Sequence, residues 1–346
     1  MTQRVDSVLA AGYDLLLFDL DGVVYVGEQP VPRAAGALSE LRRRGFRTRY
    51  VTNNASRRAE TVAGLLNRLG APATAADVLT SAQASAQLLA ERYEAGSPVL
   101  VVGADALAEE IDTVGLSPVF TAAEKPVAVV QGYGPEVGWR QLAEAALAIA
   151  AGALWVATNT DRTVPSPHGP LPGNGAMVAA LATAVERQPD IVVGKPGPAL
   201  FATAAHRWHA ERPLVIGDRL DTDIEGAVRA GYDSVLVLTG VSRATDVLAA
   251  DPLHRPRYLA TDLDGLLAPY PLVEANGDGA RCRAWTVTSA GNGWRLAGSG
   301  EPVDALRALC AAHWSSGGQA PRAVRIAAAS SDAATAIEQL GLPASD

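Results

Sequence analysis

The chain has 346 residues, a hydrophobic fraction of 48% and a formal net charge of −8. Its length exceeds the usual size of one hydrophobic core and predicts two or three units, and its acidic balance without a Lys/Arg cluster argues against a nucleic-acid partner. With only Cys282 and Cys310, which lack a paired spacing, and no apolar run long enough to span a bilayer, we expect a cytoplasmic protein that contacts no membrane.

The first predicted element is a strand that ends at two acids. The apolar run Leu15-Leu16-Leu17-Phe18 stops at Asp19-Leu20-Asp21-Gly22, which is typical of a strand buried on both faces that presents carboxylates in a crevice. Alternation places Asp19 and Asp21 on one side, where their like charges repel unless a cation or a proton intervenes. Gly22 lets the backbone approach a bound group. The pattern indicates metal and phosphate chemistry.

The next predicted strand also ends at polar residues. A helix is predicted over 30–45, a strand over 46–51 and a second helix over 57–69. Between strand and helix lies Thr52-Asn53-Asn54, whose hydroxyl, amides and backbone N–H groups suit an anion. Plain capping of the helix is the alternative interpretation.

A separate α/β layer is predicted to be inserted after this helix. Strands over 99–102, 127–131 and 154–157 alternate with helices over 104–114, 139–151 and 176–186. Gly132, Gly134 and Gly138 miss the dinucleotide fingerprint, so no nicotinamide cofactor is expected. The loop 159–174 carries four prolines with Asp161, Arg162 and His168, and we interpret it as a rigid selector loop; a simple long connection is the alternative.

Two further strand ends follow the insert. A strand over 191–193 is predicted to return to the first domain and ends near Lys195, one of only two lysines beside 27 arginines. A strand over 213–216 ends at Gly217-Asp218-Arg219-Leu220-Asp221-Thr222-Asp223, where three acids crowd a strand-to-helix turn. Acids at a helix start usually act only as caps. We interpret this site as functional only because Asp19 and Asp21 are also present.

The remaining chain is predicted to carry little chemistry. A strand over 235–238 precedes a second Asp-Leu-Asp-Gly copy, Asp262 to Gly265, which follows a poor strand and is interpreted as a surface turn. Beyond Pro271, strands over 284–288, 293–297 and 324–328 and helices over 302–312 and 332–340 form a tail. The tail lacks a catalytic constellation, and we expect docking or regulation there.

The four polar strand ends are expected to meet at the carboxyl edge of one doubly wound parallel sheet, an α/β fold. A carboxylate nucleophile, a divalent cation and a phosphate explain them together. Asp19 would attack phosphorus, and Mg²⁺ would be held by Asp19, the carbonyl of Asp21 and Asp218. Asp21 would act as general acid and base, and Asp223 would orient groups from outside the metal's ligand set.

The phosphoryl group is expected to have its own ligands. Lys195 would offset negative charge on the transferring group. Thr52 and the N–H groups near Asn53 and Gly22 would hold its equatorial oxygens.

Taken in order, these motifs resemble the four motifs of the haloacid dehalogenase-like phosphatase superfamily. The insert resembles the C2-type cap of its NagD-like branch, which includes p-nitrophenyl-phosphate, phosphoglycolate and glycerol-3-phosphate phosphatases. The cap-loop pattern from Ala157-Thr158-Asn159 to Leu171-Pro172-Gly173 is similar to that branch, and the resemblance extends from about Tyr13 to Pro271. It implies a Rossmann-like catalytic core in 1–80 and 190–271 and a substrate-selecting cap in 81–189. A small α+β domain of unknown role is left in 272–346.

The resemblance implies a Mg²⁺-dependent phosphatase that forms an aspartyl-phosphate. Arg162 and His168 suit a small anionic substrate, with glycerol 3-phosphate as the leading candidate and 2-phosphoglycolate or another sugar or aryl phosphate as alternatives. A non-catalytic module that binds a phosphorylated metabolite is the rival from another class. Dehalogenase chemistry is disfavoured by Asp21, since a halide needs no acid, and phosphonatase chemistry by the single cap lysine, Lys125. The expected partner is a small phosphorylated metabolite, with a homodimer left open.

Overall fold

The computed structural model describes residues 7–27, 29–164, 168–291, 293–317 and 324–343. The α-helices in these residues are α1 Ala34–Arg43, α2 Ala59–Arg68, α3 Ser81–Ala90, α4 Asp105–Thr113, α5 Trp139–Ala150, α6 Asn174–Val185, α7 Ala199–Arg207, α8 Glu225–Ala230, α9 Ala244–Leu248, α10 Pro302–Ser315 and α11 Ser331–Gln339.

The strands are β1 Leu15–Phe18, β2 Tyr25–Val26, β3 Gln29–Pro30, β4 Thr48–Thr52, β5 Val78–Thr80, β6 Pro98–Val102, β7 Ser117–Val119, β8 Ala128–Gln131, β9 Leu154–Ala157, β10 Thr163–Val164, β11 Leu171–Pro172, β12 Ile191–Val192, β13 Pro213–Gly217, β14 Asp233–Val237, β15 Tyr258–Ala260, β16 Val273–Asn276, β17 Gly279–Cys282, β18 Trp285–Ala290, β19 Gly293–Ala297 and β20 Ile326–Ala328.

The chain divides into two units. The first combines 1–26, 30–47 and 212–346, and the second combines 27–29 and 48–211, as far as these ranges are described. The chain passes between the two units several times, so neither unit is one continuous stretch of sequence.

Parallel strands form the centre of the first unit, in the order β15, β14, β13, β1. Leu15 pairs with Pro213, Leu214 with Asp233 and Val235 with Tyr258, all in parallel register. Every residue of β1 and β13 is buried, as expected for strands covered on both faces. The parallel register brings the carboxyl ends of β1 and β13 side by side, and the predicted α/β fold is confirmed.

The C-terminal segment packs on this sheet through a shared core. Its own sheet has the order β16, β17, β18, β19, β20, with only the β19–β20 pair parallel. One hydrophobic cluster joins Val247 of α9 and Leu259 of β15 to Trp285 of β18 and Leu309 of α10. Arg307 reinforces this contact, since its Nε donates to the Leu259 carbonyl at 3.1 Å. The hairpin β16–β17 was not predicted, because β16 is largely exposed and lacks an apolar alternation.

The second unit contains two groups of parallel strands. β4 and β5 pair in parallel, and a five-stranded sheet has the order β12, β9, β8, β6, β7. Its central strands lie within a residue of the predicted bounds, and β9 has the predicted bounds.

The strand predicted over 191–193 was wrongly assigned to the sheet of the first domain. β12 instead pairs with β9 of the five-stranded sheet, with Ile191 opposite Val156. Both residues of β12 are half-buried, as on an edge strand. Their apolar character predicts a strand but does not specify which sheet edge accepts it. Lys195 therefore follows an edge strand of the five-stranded sheet.

The second Asp-Leu-Asp-Gly copy is a surface turn, as predicted. Asp262 accepts a hydrogen bond from the Asp264 N–H at 2.9 Å and caps the 3₁₀ turn Leu263–Leu267. The Arg33 guanidinium lies 3.6 Å from the Asp262 carboxylate and 2.5 Å from that of Asp264. Both acids are thus accounted for by capping and ion pairing.

Among the described residues, no helix combines the length and the hydropathy that a bilayer-spanning segment requires.

The shared core predicts the effect of a cavity at Leu309, which is fully buried. Leu309→Ala should lower the free energy of unfolding of the first unit by about 2–5 kcal/mol, because the core collapses only partly around a lost side chain. Denaturant unfolding followed by circular dichroism measures this change. Leu272→Ala is the matched control, since Leu272 is 74% exposed and should be nearly neutral. Equal stability of both variants would show that the C-terminal segment is not part of the core.

Candidate active site

Three carboxylates meet at the carboxyl ends of β1 and β13. Oxygens of Asp19, Asp218 and Asp223 lie within 4.8 Å of one another. Asp19 follows β1 and Asp218 follows β13, while Asp223 lies on the π-helical turn Leu220–Ile224. Asp218 and Asp223 are both fully buried. The predicted metal ligands Asp19 and Asp218 are therefore brought together. Asp223, which was predicted to act from outside the ligand set, has a carboxylate oxygen as close to them as they are to each other, within 4.8 Å.

Glycine is necessary at two positions beside these carboxylates. A Cβ at Gly22, whose φ is +81°, would lie 2.3 Å from Asp218 Oδ2. A Cβ at Gly217 would lie 2.2 Å from the Cβ of Asp223. Gly22 thus allows the backbone of the first acidic loop to pack directly on the carboxylate of the second.

Backbone N–H groups orient two of the three carboxylates. Asp218 Oδ2 accepts from the Val241 N–H at 2.7 Å, and Asp223 Oδ2 accepts from the Arg219 N–H at 3.1 Å. The third acid of the motif, Asp221, pairs with the Arg219 guanidinium at 2.8 Å, and this pairing lowers the pKa of Asp221. Asp221 is therefore engaged outside the cluster.

Asp21 has a different environment from Asp19. It is exposed, and its side chain is not in the group of three carboxylates found among the described residues. The Gly22 N–H donates to the Tyr25 carbonyl at 2.7 Å and closes the turn that carries Asp21. The Asp21 side chain therefore lies outside the carboxylate cluster, and its acid and base role stays a prediction.

The donor set of the cluster fits a hard divalent cation. Mg²⁺ takes oxygen ligands, usually one or two carboxylates completed by water. Three buried carboxylates at this separation repel one another unless positive charge or protons are added. Gly22 and Gly217 leave room for the carboxylates to approach, and two backbone N–H groups fix Asp218 and Asp223, so the residues present fit Mg²⁺.

A second set of predicted residues meets in the second unit. The Asn53 Nδ2 donates to both Asp161 carboxylate oxygens at 3.3 and 3.2 Å and to the Lys195 carbonyl at 3.0 Å. The Asn53 Oδ1 accepts from the Lys195 N–H at 2.8 Å. Lys195 is 3% exposed. The Asn53 side chain therefore fixes the backbone of Lys195 and the carboxylate of Asp161, a role that its position after a strand does not reveal.

Buried amides support this arrangement from beneath. Asn159 Nδ2 donates to the Asn53 carbonyl at 2.7 Å, and Asn174 Nδ2 donates to the Asn159 carbonyl at 2.7 Å. Asn174 also donates to the Gln131 carbonyl at 3.2 Å. The role of Asn174 was missed, although an amide side chain at the first residue of the apolar helix α6 is a usable signal.

The other predicted residues are placed less tightly. The Thr52 hydroxyl accepts from the Asn54 N–H at 3.1 Å, but α2 begins after Arg58 without a side-chain cap, so the alternative that Thr52-Asn53-Asn54 only caps this helix is wrong. Arg162 and His168 are exposed. Residues 165–167 of the predicted selector loop lie outside the described residues, while β10 and β11 pair as a short antiparallel ladder on either side of them.

Both cysteines are unsuited to nucleophilic chemistry. Cys282 and Cys310 are buried and unpaired with each other. Burial raises the pKa of Cys282 to about 12 and also raises the pKa of Cys310. Thiolates are therefore scarce at neutral pH.

Family models match most of the chain. Residues 16–117 match the haloacid dehalogenase-like hydrolase model, and residues 192–266 match a HAD-hydrolase-like model. Residues 282–342 match a GCN5-related N-acetyltransferase like domain. The last match covers the tail, where the sequence pattern predicted docking or regulation.

Similar proteins extend over almost the whole chain. It is 46% identical to the D-glycerol 3-phosphate phosphatase of Mycobacterium tuberculosis, over 98% of this chain and 97% of that protein. It is 37% identical to the glycerol-3-phosphate phosphatase of Homo sapiens, over 70% of this chain and 84% of that protein. The crystal structure of the glycerol phosphate phosphatase from Mycobacterium tuberculosis in complex with magnesium matches with a TM-score of 0.87 at 45% identity, over 97% of this chain and 100% of that one.

The carboxylate cluster predicts a Mg²⁺ site that depends on Asp218. Calorimetric titration of Mg²⁺ alone into the protein should show binding, and Asp218→Asn should weaken it by at least about tenfold, because a charged ligand is lost. Asp264→Asn is the matched control, since this acid lies in the second Asp-Leu-Asp-Gly copy. Unchanged affinity in Asp218→Asn, or an equal loss in the control, would contradict the assignment.

Proposed function

The chain belongs to the haloacid dehalogenase-like hydrolases, and we propose that within this family it is a Mg²⁺-dependent phosphatase whose substrate is glycerol 3-phosphate. The reaction class is supported by the cluster of Asp19, Asp218 and Asp223. The assignment of glycerol 3-phosphate as the substrate rests on the near full-length similarity to the D-glycerol 3-phosphate phosphatase. A small, dianionic phosphoester also agrees with the predicted selector loop.

Asp19 is the proposed nucleophile. Its carboxylate oxygen attacks phosphorus, the bond from phosphorus to the glycerol oxygen breaks, and the leaving alkoxide takes the proton of the Asp21 carboxyl group. The product is glycerol and a phosphoryl group on Asp19. Water then attacks phosphorus, Asp21 takes the proton of that water, and the bond to Asp19 breaks to release inorganic phosphate.

The metal-binding residues control the charge of this reaction. Asp19, Asp218 and the carbonyl of Asp21 would hold Mg²⁺, with Asp223 beside them. When bound, Mg²⁺ neutralises charge so that a carboxylate can approach an anionic phosphate. Asp218 and Asp223 contribute by keeping fixed orientations, each through a backbone N–H. The exposed Asp21 is proposed to transfer the protons of both displacements.

Several roles stay predictions. Gly22, Thr52, Asn53 and Lys195 are proposed to bind the phosphoryl group. The exposed Arg162 and His168, with Asp161, are proposed to select the substrate.

The broader assignments also stay predictions. They comprise the core in 1–80 and 190–271, the cap in 81–189 and the separate domain in 272–346, together with the cytoplasmic location. The homodimer is checked by light scattering after size exclusion.

Phosphate release from a panel of phosphoesters tests the function. With Mg²⁺, the wild type should release phosphate from glycerol 3-phosphate faster than from 2-phosphoglycolate, p-nitrophenyl phosphate or hexose phosphates. Removal of Mg²⁺ by a chelator should abolish release, and Asp19→Asn should do the same because an amide is not a nucleophile here.

The control for this assay is Asp262→Asn, the equivalent position of the second Asp-Leu-Asp-Gly copy, which should retain activity. Release that persists in Asp19→Asn would refute the covalent route. No release from any phosphoester by the wild type would favour the metabolite-binding module. Equal turnover of all sugar phosphates would contradict glycerol 3-phosphate as the specific substrate.

The contacts of Asn53 predict a second effect on turnover. Asn53→Asp replaces the donor to the Lys195 carbonyl and places a like charge within hydrogen-bond distance of Asp161. We expect kcat/KM to fall by about 10²-fold, because small displacements of positioned groups cost that much. Steady-state kinetics with glycerol 3-phosphate measures the change.

Asn54→Asp is the matched control for Asn53→Asp. Asn54 Oδ1 accepts from the Ser56 and Arg57 N–H groups at 2.9 and 3.0 Å, and an aspartate oxygen can accept the same bonds. An unchanged kcat/KM in Asn53→Asp would show that these contacts do not position Lys195 and Asp161 for the reaction.

A further inference from the structure

The segment Thr239–Ser242 follows β14 and contacts both acidic loops of the first unit. The sequence pattern assigned it no role. The Thr239 hydroxyl donates at 2.6 Å to the carbonyl of Gly22, the residue that follows Asp21. The Val241 N–H donates to Asp218 Oδ2 at 2.7 Å, and the Ser242 N–H donates to the Asp218 carbonyl at 3.1 Å. One short segment therefore joins the loop after β1 to the loop after β13.

Gly240 brings this segment against the Asp218 carboxylate. A Cβ at Gly240 would lie 2.0 Å from Asp218 Oδ2, and a Cβ at Gly22 would lie 2.3 Å from the same oxygen. The carboxylate is thus enclosed between two glycine backbones. A side chain at either glycine would force it to move.

Ser242 extends the contact to the π-helical turn that carries Asp223. The Ser242 hydroxyl accepts from the Leu220 N–H at 3.0 Å, and Ser242 is 9% exposed. The segment therefore contacts the backbone on both sides of the Asp218–Leu220 stretch. Three of its four residues therefore make hydrogen bonds to Gly22, Asp218 and Leu220 of the two acidic loops.

We propose that Thr239–Ser242 is a positioning segment that holds the two acidic loops at the separation required for Mg²⁺. The proposal rests on the Mg²⁺-dependent phosphatase proposed above and adds residues that no sequence motif of the site includes. Carboxylates at short separation repel each other, so an unrestrained Asp218 would move away from Asp19 in the absence of a cation. Bonds that fix a ligand before the metal arrives raise metal affinity, and losing such bonds typically costs about 10–100-fold.

Thr239→Val tests the hydroxyl because valine keeps the shape and removes the donor. In calorimetric titrations of Mg²⁺ alone, we expect Thr239→Val to bind Mg²⁺ about tenfold or more weakly than the wild type. Thr239→Ser keeps the hydroxyl and should bind nearly as the wild type does. The melting temperature without Mg²⁺ should be similar for all three proteins, and the rise in melting temperature caused by Mg²⁺ should shrink only in Thr239→Val.

Gly240→Ala tests the close approach to Asp218 independently. The added methyl group should displace the Asp218 carboxylate and weaken Mg²⁺ binding. Gly36→Ala is the matched control, because a Cβ at Gly36 meets no atom within 4 Å. This pair keeps the proposal testable if Thr239→Val does not fold.

Unchanged Mg²⁺ affinity in Thr239→Val or in Gly240→Ala would overturn the proposal. Equal losses in Thr239→Val and Thr239→Ser would also overturn it, because the hydroxyl would not then be responsible. Phosphate release by the wild type is measured separately with glycerol 3-phosphate. Failure of the positioning role would thus leave that activity intact, whereas failure of the proposed function would appear as a wild type without activity.

Discussion

Mutual repulsion of Asp19, Asp218 and Asp223 is the constraint on which the first unit depends. Their oxygens lie within 4.8 Å of one another, two of the three residues are fully buried, and like charges so placed repel one another until a cation is bound. The parallel pairing of β1 with β13 supplies the proximity, and Gly22 and Gly217 remove the side chains that would block it. The fold therefore holds three carboxylates in a position where bound Mg²⁺ removes their mutual repulsion. An enzyme that acts on an anionic phosphoester requires such a site.

In the second unit, neutral amide side chains position two charged residues, Lys195 and Asp161. Asn53 satisfies both the N–H and the carbonyl of Lys195 and also contacts Asp161, while Asn159 and Asn174 continue the network into the unit. Buried amides of this kind are costly when unpaired, so the network specifies one geometry for the turn that carries Lys195. Arginine lacks the compact ammonium of lysine, which gives a physical reason for a retained lysine at this turn.

The sequence predicted the acidic cluster well because it arises from local patterns, in which apolar strands end at acids and parallel strands align their carboxyl ends. β9 and β19 have the predicted bounds for the same reason. The prediction of the sheet that contains β12 was wrong, since two apolar residues indicate a strand but do not specify which strand it pairs with. The Thr239 contact with Gly22 and the Asn53 contact with Asp161 span 217 and 108 residues. Contacts over such distances leave no local signature, and Thr239 and Asn53 resemble ordinary caps in the sequence.

The central claim is that phosphoryl transfer passes through Asp19 in two displacements. The most direct measurement is the stereochemical course at phosphorus, determined with glycerol 3-thiophosphate made chiral by oxygen isotopes and hydrolysed in isotopically labelled water. Each in-line displacement inverts phosphorus, so attack by Asp19 followed by attack by water predicts overall retention. Overall inversion would mean that water attacks the substrate directly, and it would contradict the account.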